Sequence, residues 1–113
     1  LEVNRSAFLK AVFAAVADCL SASLTIAEVA RRMNMSESAL TKRFRREFGS
    51  PLGRYIDEMV LQDVIRRLMG TEESVGAIAE NMGFCDPFYL SRFFSERVGM
   101  PPSAYRAHQR GQI

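Results

Sequence analysis

Residues 25–33 read TIAEVARRM, and residues 74–82 read SVGAIAENM. The second stretch restates the first about fifty positions later. Thr25, Ile26, Val29, Ala30, Met33 and Met35 pair with Ser74, Val75, Ile78, Ala79, Met82 and Phe84 at one offset. Leu40, Thr41, Lys42, Phe44, Gly49, Pro51 and Tyr55 pair with Leu90, Ser91, Arg92, Phe94, Gly99, Pro101 and Tyr105 at an offset one residue larger. A single residue is therefore inserted at the head of the later helix. Two copies of one supersecondary unit imply a ligand that itself repeats. The repeating ligand that suits this unit is duplex DNA.

Outward from that repeat, the whole chain runs at helical period, with no β-type alternation of useful length. From Asn4 to Leu20, the residues Phe8, Leu9, Val12, Phe13, Val16 and Leu20 share one face in an Ala-rich background. Ser21 to Leu24 is a short break. Thr25 caps a short helix, with Glu28 at capping-box spacing. Asn34 stands where a left-handed residue must turn the chain. Ser36 caps a longer helix that ends near Phe48, with Leu40, Phe44 and Phe48 facing in and Gly49 terminating it. Ser50-Pro51 reads as a cap followed by proline at the first helical position. A helix from Pro51 to Met69 follows, with Tyr55, Ile56, Met59, Val60, Val64, Ile65 and Leu68 on a broad apolar face. It holds no Gly or Pro between Tyr55 and Met69 and is expected to act as a stiff strut. After the loop Gly70 to Glu73, the plan repeats. Ser74 caps a helix to Met82, Gly83 takes the left-handed position, and Asp86-Pro87 starts the next helix. Leu90, Phe93, Phe94 and Val98 face in, Gly99 ends that helix, and Pro101 to Arg106 opens a last short one. The tail from Ala107 to Ile113 is expected to fray.

The chain has 113 residues, nearly half of them apolar, with six Met, eight Phe and no Trp. That composition favours a folded helical interior over disorder. Net charge is only +2, but its distribution is uneven. Lys42-Arg43-Phe44-Arg45-Arg46 is one basic cluster, Arg31-Arg32 a second and Arg66-Arg67 a third. Clustered cations on one helix are an electrostatic footprint for nucleic acid, although a solvated helix face produces the same pattern. Cys19 and Cys85 make neither a disulfide framework nor a zinc site. Cys19 reads as a small core residue and Cys85 as a thiol just before a helix start. No signal peptide and no transmembrane run is present. The chain opens on Leu1 rather than Met and reads as a fragment of something longer.

Each repeat is thus a helix, a tight turn and a longer helix, with Ala30 or Ala79 small enough at mid-helix to let two helices cross closely. That is a helix-turn-helix, whose second helix enters the major groove. On the first recognition helix the outer face carries Ser38, Thr41, Lys42, Arg45 and Arg46. Lys42 can donate to guanine O6 and N7, while Ser38 and Thr41 can bond base edges or touch a thymine methyl. Arg45 and Arg46 are better placed for phosphates. On the second helix Phe88, Tyr89 and Arg92 face out. Arg92 is the guanine reader, and the two aromatics either pack on thymine methyls or sugars or pack against a neighbouring helix.

Residues from about Thr25 to Arg106 resemble the AraC/XylS family of bacterial transcription regulators. The second unit carries that resemblance most fully, in Ile78-Ala79, Met82-Gly83-Phe84, Tyr89-Leu90-Ser91-Arg92-Phe93-Phe94, Gly99, Pro101-Pro102-Ser103 and Tyr105-Arg106. The resemblance implies an all-α fold of about seven helices, homeodomain-like, with two helix-turn-helix subdomains joined by a long linker helix. The subdomains fall at 1–54 and 70–113, with the linker at 55–69. It also implies recognition helices in successive major grooves on one side of the duplex, about one DNA turn apart. Ser38, Thr41 and Lys42, then Phe88, Tyr89 and Arg92, fall on the family's base-reading positions. The resemblance further implies an activator that contacts RNA polymerase, a separate sensing or dimerisation domain missing from this fragment, and a place in the bacterial cytoplasm on the nucleoid. Three features depart from the pattern. The linker has Val60 where arginine is usual and Ile65 where alanine is usual, which leaves an apolar face for the missing domain or a partner. The first turn has Asn34 instead of glycine. The second recognition helix sets Asp86 and Glu96 against Arg92 and Arg97, so the first unit is expected to supply more affinity.

The leading function is sequence-specific double-stranded DNA binding in transcription regulation, without cofactor or metal. The alternative is a helical protein-interaction module that docks a partner through its basic and apolar helix faces. An enzyme is poorly supported: His108 is the only histidine and lies in the tail, and no phosphate-cradling glycine loop is present.

Overall fold

A computed structural model describes residues 5–111, and every regular element among them is helical. α1 spans Ala7–Asp18, α2 Ile26–Arg32, α3 Glu37–Phe48, α4 Leu52–Gly70, α5 Val75–Asn81, α6 Pro87–Val98 and α7 Pro102–Gln109. Seven helices were expected and seven form among the described residues. α1 is shorter than its apolar stripe suggested. Ser6 is extended and its Oγ accepts from the Leu9 N–H at 3.1 Å, so the helix begins at Ala7; Asn4 lies outside the described residues.

The two turns that define the repeat are closed by the same pair of backbone bonds. Met33 and Met82 close α2 and α5 near φ −90°. Asn34 (φ 56°) and Gly83 (φ 83°) then take the left-handed conformation. Met35 N–H donates to the Ala30 carbonyl at 3.0 Å and Asn34 N–H to that of Arg31 at 3.2 Å. Phe84 N–H donates to Ala79 at 2.9 Å and Gly83 N–H to Glu80 at 3.2 Å. This pair of bonds is the Schellman arrangement, which satisfies the carbonyls a helix end leaves open. The next helix then starts on a side-chain cap. Ser36 Oγ accepts from Ala39 N–H at 3.1 Å, and the Asp86 carboxylate from Tyr89 N–H at 2.8 Å. Only Met35 separates the left-handed residue from the cap in the first turn; Phe84 and Cys85 do so in the second. The inserted residue is therefore Cys85, exposed in the turn.

Two capping expectations are corrected. Thr25 Oγ1 does accept from Glu28 N–H at 3.2 Å, but the Glu28 carboxylate turns away to Arg31 and Arg32, so the capping box is only half made. Pro51 precedes α4 and its carbonyl accepts from Tyr55 N–H at 3.2 Å, which makes it the cap and not the first helical residue. Pro101 does the same for Tyr105 at 2.9 Å, because the following Pro102 holds it extended.

The chain packs as two units. The first gathers the described residues up to Leu20 and Leu24–Met59. Its core is Phe8, Leu9, Val12 and Val16 of α1, Val29 and Ala30 of α2, Leu40 and Phe44 of α3, and Leu52 and Ile56 of α4. Phe13, Phe44, Phe48 and Tyr55 form a ring cluster beside it, with centroids 5.0–6.4 Å apart. Phe48 is only half-buried there, and burial pushes the Tyr55 hydroxyl pKa up. The second unit runs from Val60 onward and takes in the loop Ser21–Ser23. Val60, Leu61, Val64 and Leu68 of α4 join Ile78, Ala79, Met82, Phe84, Leu90, Phe93 and Phe94 in its core. Ala22 N–H donates to the Met82 carbonyl at 2.7 Å, so an early loop completes this later unit. Val60 is thus core, not an open apolar face, and Ile65 is half-buried.

The end of the chain is tied down further than expected. α7 continues to Gln109, and Arg110 donates to the carbonyls of Leu68 at 3.0 Å and Thr71 at 2.7 Å. Arg106 Nε also donates to Leu68 at 2.9 Å. Cations on the last carbonyls of α4 are favoured by its dipole. Ile113, in the part expected to fray, lies outside the described residues.

Candidate nucleic-acid interface

α3 is the longer helix of the first helix-turn-helix, and its orientation follows from Leu40, Phe44 and Phe48 on one side. Leu40 and Phe44 are fully buried, which fixes the opposite side in solvent. Ser38, Lys42, Arg45 and Arg46 are exposed there and Thr41 is half-buried. Thr41 Oγ1 donates to the Ser38 carbonyl at 3.2 Å, so it offers outward a methyl group and a lone pair. No described residue pairs with the Ser38 hydroxyl. Thr41, Lys42 and Arg45 edge a shallow groove of about 280 Å³, walled by Ile26, Pro51 and Leu52.

The structure sorts the basic clusters by what holds each cation. Arg43 lies over the Phe8 ring at 4.2 Å and bonds Glu47 at 2.7 Å. Arg31 and Arg32 both engage Glu28, at 2.5 and 3.0 Å. Arg66 and Arg67 both engage Asp63, and Arg67 also reaches Glu73 at 3.5 Å. Lys42 and Arg45 have no carboxylate partner among the described residues. Arg46 has none within ion-pair reach and senses Glu47 only through space. Of the three clusters read from the sequence, two are compensated internally. Of the clustered cations, those left unpaired lie on the outer face of α3.

The carboxylates that do this work are held in their ionised form. Hydrogen bonds from Arg31 and Arg32 lower the Glu28 pKa. The Ser6 hydroxyl, donating at 2.5 Å, and then Arg43 lower that of Glu47. Asn81, at 2.9 Å, and Thr71 lower that of Glu73.

α6 repeats the scaffold with different chemistry. Leu90, Phe93 and Phe94 are buried. Phe88 is 80% exposed and Tyr89 43% exposed, and Arg92 is exposed beside them. The two aromatics part company. Tyr89 packs edge-on against Phe84 at 5.7 Å, with the Arg92 guanidinium 5.9 Å from its ring. Among the described residues Phe88 packs on no ring and meets no guanidinium. Around α3 and its caps there are four cations and two carboxylates; around α6 there are two of each.

Arg54 is a cation that sequence reasoning missed. It is exposed in the first turn of α4, with no ion-pair partner among the described residues. The helix dipole disfavours a cation there, and that misplacement is the signal that could have found it. Among the described residues no three His, Cys, Asp or Glu side chains gather as a metal site, and no helix is long and apolar enough to cross a membrane.

A family model described as a helix-turn-helix domain matches residues 29–108. The chain is similar to the transcriptional activator RhaR of Klebsiella pneumoniae, 32% identical over 107 residues, covering 95% of this chain and 38% of that protein. It spans about two fifths of the length of that relative. It is also similar to the multiple antibiotic resistance protein MarA of Escherichia coli, 30% identical over 91 residues, covering 80% of this chain and 72% of MarA. Among solved structures, the DNA-binding domain of the global transcriptional factor AdpA, in complex with a target DNA, superposes with a TM-score of 0.80 at 27% identity. That match covers 93% of this chain and 94% of the other.

Proposed function

The chain belongs to the AraC-type helix-turn-helix family, and from that premise we propose that it binds double-stranded DNA sequence-specifically to regulate transcription, as an activator. The observation that carries this is the outer face of α3, where Lys42, Arg45 and Arg46 make no ion pair with a carboxylate among the described residues while neighbouring arginines are paired. An exposed row of unpaired cations beside hydroxyls suits phosphates and base edges together. The DNA-bound AdpA domain, which shares the fold across nearly the whole chain, supports the same reading.

In this reading Lys42 donates to guanine, Ser38 and Thr41 meet neighbouring base edges, and Arg45, Arg46 and Arg54 take phosphates. Arg92 is the guanine reader of α6. Each recognition helix takes a major groove of one duplex, and the two grooves adjoin. The first unit supplies most of the affinity. The whole protein carries a separate sensing or dimerisation domain, contacts RNA polymerase and works on the bacterial nucleoid; RhaR, of which this chain spans 38%, supports a larger regulator.

The test is selection of binding sites from random duplex, followed by footprinting. A footprint over two adjacent groove segments supports the reading. Equal retention of every sequence, or retention by a protein partner and not by duplex, contradicts it.

A further inference from the structure

α6 presents an apolar group where α3 presents a hydroxyl. In the repeat, Phe88 stands at the position of Ser38 and Arg92 at that of Lys42. Phe88 is therefore on the base-facing side of its helix, one turn before the cation. At 80% exposure it is the most solvent-exposed large apolar side chain among the described residues; only Met69, at 37%, and Tyr89 join it. Its neighbours do not account for it. Tyr89 packs on Phe84, and Phe93 is buried under the Arg97 guanidinium at 3.9 Å. The cap of α6 is the Asp86 carboxylate, where α3 has the neutral Ser36. A carboxylate at that end repels phosphate, so the start of α6 gains little from the DNA backbone. What α6 offers there for recognition is the Phe88 ring, the Arg92 guanidinium and the exposed part of Tyr89.

We propose that Phe88 is a specificity-determining residue that reads thymine 5-methyl groups in the half-site facing α6. This rests on the duplex-DNA reading above and deepens it. The major-groove edge of an A·T pair carries one apolar group, the thymine methyl, and an apolar side chain is its matching contact. The two units then recognise DNA by different chemistry. α3 uses charge and hydrogen bonds, and α6 uses a methyl contact and a single guanidinium.

The experiment replaces thymine by deoxyuridine, one position at a time, in the selected duplex, and leaves the protein intact. Uracil pairs as thymine does and lacks only the methyl. One or two positions in the α6 half-site should weaken binding about three- to ten-fold each, the effect of uncovering one methyl-sized group. The ratio should not change with salt, because no charge is involved. In Phe88→Ala, whose fold is insulated by the exposure of that ring, the same replacements should have no effect. Loss in Phe88→Ala that is equal on thymine and uracil duplexes would mean a sugar contact and overturn the proposal. So would neutrality of every replacement on a duplex that wild type binds specifically. Failure to bind any duplex specifically removes the underlying reading as well, and is a different result from neutral replacement.

Discussion

Asn34 and Gly83 solve one problem with two residues. Both take a left-handed backbone to turn a helix into its successor. Both positions were legible in the sequence, because so few residue types tolerate that conformation. Their surroundings were not. A Cβ on Gly83 would lie 3.2 Å from the Ser21 Cβ, while Asn34 already carries one. Asn34→Ala should cost about 1 kcal/mol in urea unfolding, and Gly83→Ala about 2 kcal/mol or more. Ser21→Gly should recover part of the second cost and none of the first. Equal costs would show that the Ser21 loop gives way freely. At the interface, Lys42→Ala should lose about 1–3 kcal/mol on the selected duplex and relax preference at one base pair. Equal loss on random DNA would mean that Lys42 meets only phosphate.

The elements were legible to within a turn, since apolar period, caps and turn residues agree with one another. The pairing of charges between them was not. Ser6 is one case: its Oγ accepts from Leu9 N–H and its hydroxyl donates to Glu47, on α3 and 41 residues away. No local pattern announces such a bond. Arg106 and Arg110 on the end of α4 are another, and they tie down α7 in a stretch whose terminal position suggested that it would fray. Ser6→Ala should cost about 1 kcal/mol through loss of the α1 cap and should also release Glu47. The sign of the pH effect follows. Glu28, Glu47 and Glu73 have lowered folded pKa values, so their contribution is full above the unfolded glutamate value of about 4.3 and is lost as pH falls through the depressed folded values. Melting temperature should be flat down to about pH 5 and fall below it. Ser6→Ala should blunt that acid fall. A melting temperature that rises on acidification would contradict these pairings.

For the molecule as a whole, the repeat made the class of ligand readable and the net charge of +2 concealed it. The sequence holds three basic clusters; folding leaves one of them open, because Glu28 and Asp63 hold the other two. Salt should expose that difference. Removing Arg45, Arg46 or Arg54 should each lower the slope of log K against log salt by about one, since each meets a phosphate. Arg31→Ala and Arg66→Ala should leave the slope nearly unchanged. A slope that falls equally for all five would mean that the ion pairs open on DNA. Sequence-specific recognition by this chain is measured by the ratio of dissociation constants for the selected duplex and its scrambled counterpart at physiological salt. A ratio on the order of a thousand or more is expected, falling sharply in Lys42→Ala; a ratio near one for wild type would contradict the account.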